Sequence, residues 1–314
     1  MVRANPERPQ SETPIDETIF VDSRDPARLE KAADFIERTV VRYHRGEVRG
    51  IERIPRGAGL YVGNHNAGMW TPDTYIFGAA VYRARGVADF PFALGHMMVM
   101  RAPRLGDYLT SLGGMLATPH NGERALRAGF KVLVYPGGDI DAYRPYRRRN
   151  EVDFFPRRGY IRLALRTGVP IIPVISSGAH ESFVVVEDFQ WLAERLGVSR
   201  WLRFKAWPLI LSLPWGLTLG PLPFIPFPSK VLVEVLDPIH FERSGDEASR
   251  DRNYVEQCAQ AVERRMEDAL QRLAIERQTI DPLAGPLDFV AEERAQWVSG
   301  IARDLVPPQR PRRR

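Results

Sequence analysis

Cysteine is almost absent from this sequence of 314 residues, whose single cysteine is Cys258. One thiol excludes an internal disulfide framework and a cysteine-rich zinc site. The histidines stand apart from one another, without the short spacings typical of metal ligands; they are His44, His65, His96, His120, His180 and His240. We therefore expect no metal site.

The first part of the chain lacks the apolar run that a secretory signal needs. Residues 1–20 are mostly polar and rich in proline. We expect a disordered N-terminal segment over 1–20 and a cytoplasmic protein.

The chain has one long uncharged stretch, 206–229, and it contains six prolines. The stretch is long enough to cross a bilayer, but its prolines exclude a continuous spanning helix. Two interpretations stay open. It is either a buried extended segment or an interfacial segment that enters lipid beside Trp207 and Trp215.

Basic residues outnumber acidic ones by 44 to 39, which gives a net charge of +5 and a pI of about 9.5. This excess favours anionic partners such as lipid headgroups, phosphorylated cofactors or nucleic acid, and is too small to choose among them.

Apolar patterns of helical and strand period alternate along most of the chain. The predicted helices are 25–43, 72–85, 104–112, 122–128, 159–167, 189–196 and 248–276. The predicted strands are 48–54, 60–63, 90–94, 114–117, 131–135, 170–175 and 231–236. Such alternation predicts a single α/β domain, 21–276, opened by an amphipathic helix, in which a central mostly parallel or mixed sheet is flanked by helices. Residues 277–314 are predicted to form a helical extension and a basic tail.

His65 falls where the predicted strand 60–63 ends, and Asp73 falls in the first turn of the next helix, after Thr71 as N-cap and Pro72. A carboxylate that accepts from one ring nitrogen would leave the other free to take a proton as a general base. The alternative is that Asp73 only complements the helix dipole and His65 is an ordinary loop histidine.

A glycine turn follows the predicted strand 131–135, at Gly137 and Gly138, with Asp139 after it. Glycine lets backbone amides approach an oxyanion or a phosphate closely, although such a turn is often only structural. The sequence has no Gly-x-Ser-x-Gly elbow, Walker loop or Gly-x-Gly-x-x-Gly motif.

These elements, in this order, resemble the glycerolipid acyltransferase superfamily over about 57–239. The segments that carry the resemblance are Asn64–Asp73, Tyr135–Asp139, Phe155–Gly168, Val169–Val174, Ser177–Phe183, Gly220–Pro223 and Val235–Ile239. Tyr135–Gly138 and Phe155–Gly168 are closer to the monoacylglycerol and diacylglycerol acyltransferase branch. The chain departs from the superfamily pattern because seven residues, rather than four, separate His65 from Asp73.

The resemblance implies a glycerol-phosphate-acyltransferase-like fold and transfer of a fatty acyl group from acyl-CoA, or another acyl thioester, to a hydroxyl of a glycerolipid or other lipid. His65 and Asp73 would be catalytic. The implied substrate-binding residues are Asn64, Gly137, Gly138, Asp139, Arg101 and Arg104.

Acyl-CoA would be a co-substrate, with no cofactor, no metal and no nucleic-acid partner. The protein would be peripheral on the inner face of a membrane. Two alternatives stay open, namely an esterase or thioesterase with the same histidine and aspartate, and a non-catalytic lipid-binding protein.

Overall fold

The structure is a computed structural model that describes residues 22–280 except 69, 155, 190–194, 196–206 and 221. Nearly all of the predicted helix 189–196, the N-terminal segment 1–20 and the basic tail therefore lie outside the described residues.

The helices are α1 (Pro26–Ile36), α2 (Pro72–Asp89), α3 (Met97–Met100), α4 (Leu105–Ser111), α5 (Pro119–Arg127), α6 (Gly138–Ala142), α7 (Gly159–Thr167), α8 (Asp246–Arg250) and α9 (Arg252–Ile280). A π-helical turn, Glu37–Val41, continues α1. In the described part of the chain, no helix is both long and apolar enough to cross a membrane.

The strands are β1 (Glu47–Arg49), β2 (Gly59–Gly63), β3 (Phe92–Gly95), β4 (Gly114–Leu116), β5 (Lys131–Val134), β6 (Ile171–Ser177), β7 (Val184–Glu187), β8 (Leu209–Ser212), β9 (Gly216–Leu219) and β10 (Leu232–Val235). The main sheet has the order β1-β10-β6-β2-β5-β3-β4. Neighbouring strands in this sheet run parallel, except that β10 and β6 are antiparallel. The predicted α/β fold with a mostly parallel sheet is confirmed.

The central strand β2 is buried along its whole length. Because side chains alternate between the two faces of a strand, Leu60 and Val62 pack with α7 and α9, whereas Tyr61 packs with α2 on the other face. Helices therefore cover both faces of the sheet, which leaves the carboxyl edge of the parallel strands as the place for a site.

Three predicted boundaries differ from the structure for local reasons. β1 ends at Arg49 because Gly50 adopts a φ of 77°. Helix α5 begins at Pro119, earlier than expected, because the Thr118 side chain accepts from Asn121 N and caps it. The predicted helix 248–276 divides at Asp251, whose backbone is extended, and α9 continues to Ile280.

The uncharged stretch forms part of a second sheet, with the order β7-β8-β9 and both pairs antiparallel. The inner residues of this sheet are buried against the loop after β2. Leu217 and Leu219 of β9 are 54% and 51% exposed, so the interpretation of a wholly buried segment is wrong for β9.

A buried ion pair anchors β5 where it enters the sheet. The Lys131 side chain is 1% exposed, and its Nζ lies 2.6 Å from Asp89 Oδ1 and also donates to Gly57 O. Arg85 Nε donates to the other oxygen of the same carboxylate at 2.8 Å. Burial raises the pKa of Asp89, but Lys131 and Arg85 together lower it below its usual value.

We expect Lys131→Met to lower the free energy of unfolding by about 3 kcal/mol, because it leaves a buried carboxylate with one partner fewer. The matched control is Arg127→Met, which removes an exposed pair with Glu123 and should cost less than about 0.5 kcal/mol. Urea unfolding measures both, and equal effects would contradict the assignment.

Candidate active site

The carboxyl ends of β2 and β5 are adjacent because the two strands pair in parallel, with Val62 opposite Val134. The loop that carries His65 leaves one strand, and the glycine turn at Gly137 and Gly138 leaves the other. The structure therefore brings together two groups that are more than 70 residues apart in sequence.

Asn64 extends the pairing of β2 with β6. Its side-chain amide donates to Ser176 O and its side-chain oxygen accepts from Ser176 N, both at 2.9 Å. The residue is 1% exposed. The Asn64 side chain thus holds the His65 loop to β6, and its expected role in substrate binding stays a prediction.

The backbone of His65 is fixed at both of its polar atoms. Its N–H donates to Asp141 Oδ2 at 2.6 Å, and its carbonyl accepts from Arg144 Nη1 at 2.8 Å. The imidazole lies against the Tyr135 ring, with the ring centroids 4.8 Å apart. Its Nδ1 is buried and has no hydrogen-bond partner within the described ranges.

Burial lowers the pKa of His65 to about 4, and the nearby positive charge of Arg144 acts in the same direction. The histidine is therefore neutral at physiological pH. A neutral imidazole is the form that accepts a proton, so His65 is in the protonation state that a general base needs.

Asp73 is buried, and its two oxygens have other partners. Oδ2 accepts from Asn66 Nδ2 at 2.8 Å, and Oδ1 accepts from Thr74 N at 3.0 Å. Burial raises the pKa of Asp73 to about 6, against the effect of these hydrogen bonds. Among the described residues, no hydrogen bond joins Asp73 to the His65 ring.

The predicted capping of α2 by the Thr71 side chain is wrong. Thr71 stands at the N-cap position of α2 but has a φ of 39°, and its side chain makes no capping hydrogen bond. The Asp73 carboxylate instead accepts from the N–H of Thr74, which also donates to Thr71 O, in the first turn, where a negative charge stabilises a helix.

Arg144, which the sequence reasoning missed, connects the two loops of the site. Its side chain is 5% exposed and forms an ion pair with Asp141 at 2.6 Å. Its Nη1 donates to His65 O, and its Nη2 donates to Asn66 Oδ1 at 2.7 Å. The planar guanidinium, with five donors, is suited to such a bridge. An arginine within a run of arginines carries no sequence signal of burial.

His180 is the second histidine in this region. It is 2% exposed, and its Nε2 lies 2.8 Å from Arg144 O. Burial holds its pKa well below the usual value, and the charge of Arg144 adds to this effect. His180 thus adds a neutral ring that supports the segment around Arg144.

The glycine turn opens α6, and its conformation requires glycine. Gly138 has a φ of 54°, and a Cβ there would lie 2.1 Å from Arg157 Nη1. The Gly138 N–H donates to Tyr135 O at 3.1 Å, so it serves the turn. Arg157 donates to Gly137 O at 2.6 Å and to Asp139 Oδ1 at 2.8 Å, which places a guanidinium at the turn.

A shallow cleft lies beside this turn. It is lined by Gly137, Ile140, Asp141, Arg144, Arg148, Glu151, Asp153, Phe154 and Arg157. Arginines and carboxylates of opposite charge line it in equal number, so the cleft suits a polar group better than an acyl chain.

Arg101 and Arg104 lie in the exposed turn between α3 and α4, after β3. In the main sheet, β3 is separated from β2 by β5. The two arginines are therefore on the same edge as His65, but the described contacts include no hydrogen bond or ion pair that joins them to the His65 loop.

We expect Arg144→Lys to loosen the His65 loop, because an ammonium cannot reach His65, Asn66 and Asp141 in one plane. The amide of His65, which donates to Asp141, should exchange with solvent at least about tenfold faster than in the wild type. Arg147→Lys, at an exposed side chain that pairs with Glu187, is the control and should leave this exchange unchanged. Unchanged exchange in Arg144→Lys would contradict the bridging role.

The chain is similar in sequence to known proteins. A family model described as Acyltransferase matches residues 45–177. An uncharacterized protein of Mycobacterium tuberculosis is 30% identical over 198 residues, which are 63% of this chain and 52% of that protein. The "DGAT1/2-independent enzyme synthesizing storage lipids" of Mus musculus is 27% identical over 202 residues, which are 62% of this chain and 56% of that protein. The chain spans about half the length of the curated relatives it matches.

A solved structure agrees with these relatives in fold. The crystal structure of the 1-acyl-sn-glycerophosphate (LPA) acyltransferase, PlsC, from Thermotoga maritima superimposes with a TM-score of 0.50 at 18% identity. The match covers 79% of this chain and 81% of that one. The acyltransferase match over 45–177 and these relatives support the glycerolipid acyltransferase superfamily for this chain, and the solved structure agrees with it in fold.

Proposed function

We propose that the protein transfers a fatty acyl group from acyl-CoA to a hydroxyl of a lipid acceptor. The observation that carries the proposal is the neutral, half-buried His65, which is held by its backbone at the carboxyl edge of the sheet beside the glycine turn. The acyltransferase match over 45–177 includes both features.

The reaction that we propose has two steps, formation of a tetrahedral intermediate and its collapse. A nitrogen of His65 takes the proton of the acceptor hydroxyl while the oxygen attacks the thioester carbonyl, which forms a tetrahedral oxyanion. The intermediate then expels the CoA thiolate, which recovers the proton from His65. No acyl-enzyme forms, because the oxygen of the acceptor is itself the nucleophile.

Arg157 is the best candidate for the group that stabilises the developing negative charge. Its guanidinium lies at the glycine turn, where it is one-third exposed. The Gly138 N–H is less suitable because it already donates to Tyr135 O. A fixed positive group near an oxyanion is a common source of catalysis.

We propose that Asp73 supports His65 through a contact that forms when substrate binds. Catalytic hydrogen bonds are often absent or long before the substrate arrives. Asn66 connects the two residues, because it follows His65 in the chain and donates to Asp73 Oδ2. The seven intervening residues are accommodated by the left-handed Ala67, Gly68 and Thr71.

The acceptor that we propose is a neutral glycerolipid, since the sequence resembles the monoacylglycerol and diacylglycerol branch and the mouse relative is named for the synthesis of storage lipids. Such substrates partition into membranes. We therefore propose that the protein works as a peripheral protein on the inner face of a membrane, with Arg101 and Arg104 available for CoA phosphates.

The pH dependence tests the role of Asp73. An ionised Asp73 is present above its pKa of about 6, whereas His65 is a free base above its pKa of about 4. We expect kcat/KM of the wild type to fall as the pH drops below about 6. Asp73→Asn should lower kcat/KM about 10²-fold and move the acidic limb towards pH 4.

His65→Ala is the companion variant and should abolish transfer while the far-UV circular dichroism is unchanged. Wild-type turnover by folded His65→Ala would overturn the proposed function. An acidic limb that stays near pH 6 in Asp73→Asn would overturn only the role of Asp73.

The acceptor dependence separates transfer from hydrolysis. With labelled acyl-CoA, an added monoacylglycerol or diacylglycerol should accelerate release of CoA and give a labelled ester. Chromatography of the products measures both. Release of free fatty acid at the same rate with and without any acceptor would favour a thioesterase, and no turnover at all would favour a lipid-binding protein.

A further inference from the structure

The hairpin of β8 and β9 presents an apolar surface to the outside, which we call the leucine face. Its members are each between 45% and 56% exposed, and they are Leu213, Trp215, Leu217, Leu219, Leu222 and Ile225. Along β9 the pattern is reversed from that of a water-facing strand. Leu217 and Leu219 point outwards, while Gly216 and Thr218 are the more covered residues.

The other side of the same sheet packs on the candidate active site. Ile210 of β8 and Val185 of β7 belong to one buried cluster with Ala67 and Tyr143. Ala67 is two residues from His65, and Tyr143 is next to Arg144. One thin layer of protein therefore separates the leucine face from the His65 loop.

We propose that the leucine face is a docking surface for an anionic lipid bilayer, which it enters to interfacial depth. The inference deepens the proposed function, on which it rests, by naming the surface through which the enzyme reaches a membrane-dissolved acceptor. Six large apolar side chains that are exposed on one hairpin mark an interaction site rather than ordinary surface.

The polar groups of the hairpin favour lipid over a protein partner. Trp215 Nε1 donates to Pro223 O, and Thr218 Oγ1 lies 3.5 Å from Ile210 O. No charged residue occurs between 206 and 229. A protein interface normally has a polar rim with about one hydrogen bond per 100–200 Å², whereas the hydrocarbon of a bilayer forms no hydrogen bonds with the surface it contacts.

The charge beside the leucine face fits an anionic surface. Tyr43 Oη donates to Pro226 O at 2.7 Å, which connects the end of the first helix to the segment after the hairpin. Arg38 and Arg42 are exposed on this helical segment, next to Phe35, which is 65% exposed.

The acidic side chains of the same helix are held by another residue. Arg83 forms ion pairs with Glu30, Asp34 and Glu37. Arg42 and Arg38, whose Nη2 also lies 3.9 Å from Asp34, are exposed cations of this segment. Each arginine near an anionic membrane is attracted over about a Debye length.

The depth of insertion follows from the backbone. Among the strands that the structure describes, β9 is at the edge of its sheet, so its outer N–H and C=O groups have no neighbouring strand there. Unpaired backbone groups are costly in hydrocarbon, and they can be hydrated at the level of the lipid headgroups. Trp215 is suited to the same level because its indole is amphipathic.

Flotation of the full chain with vesicles tests the proposal. The vesicles are phosphatidylcholine alone or phosphatidylcholine with phosphatidylglycerol, at low and high salt. Leu217→Ser with Leu219→Ser should reduce binding at least tenfold at every salt concentration. Arg38→Ala with Arg42→Ala should reduce binding only to the anionic vesicles at low salt. Ile275→Ser, at an apolar residue of α9 that is even more exposed, is the matched control and should bind as the wild type does.

Two further measurements separate this inference from the proposed function. His65→Ala should float as the wild type does, since binding needs no turnover. Thermal unfolding of the leucine variant should match that of the wild type, because both side chains are exposed. Undiminished flotation of the leucine variant would overturn the proposal, as would a wild type that stays in solution with both vesicle types. A dimer in light scattering that the leucine variant abolishes would also overturn it, in favour of a second copy of this chain.

Discussion

The guanidinium of Arg144 is the constraint on which the arrangement of the site depends. It connects the loop after β2 to the helix after β5, because it donates to His65 O, to Asn66 Oδ1 and to the Asp141 carboxylate. Asp141 completes the bridge because it accepts the His65 N–H. A buried charge is tolerated only where it is paired and fully hydrogen-bonded, and here the requirement also fixes the backbone of the histidine.

Burial shifts the pKa values of the two proposed catalytic groups in opposite directions. It keeps His65 neutral, because the imidazolium would lose its hydration, and it raises the pKa of Asp73 for the same reason. The small sheet contributes to this burial through Ile210 and Val185, which cover the loop at Ala67. Because the outer side of that sheet is apolar as well, the element that shields the site from water is also the element that we propose to contact lipid.

Much of the fold was predictable because the parallel strands are short apolar runs bounded by glycine and proline. β2 and β5 agree with the predicted strands 60–63 and 131–135 to within one residue at each end. The β8 and β9 hairpin was not predicted, since its alternation is inverted and its prolines suggest irregular chain. Arg144 was not predicted either, because nothing in a run of arginines indicates which of them becomes buried.

The sequence by itself determined the class of fold, the resemblance to a superfamily and the positions of His65 and the glycine turn, because local patterns and ordered motifs are properties of neighbouring residues. Tertiary structure decided which groups meet. In the folded chain, Asn64 bonds to β6, and the Gly138 N–H donates within its own turn. Asp73 accepts from Asn66 and Thr74 and makes no hydrogen bond to His65 among the described residues. These contacts depend on the parallel pairing of β2 with β5 and β6, which joins residues far apart in the chain and leaves no local trace.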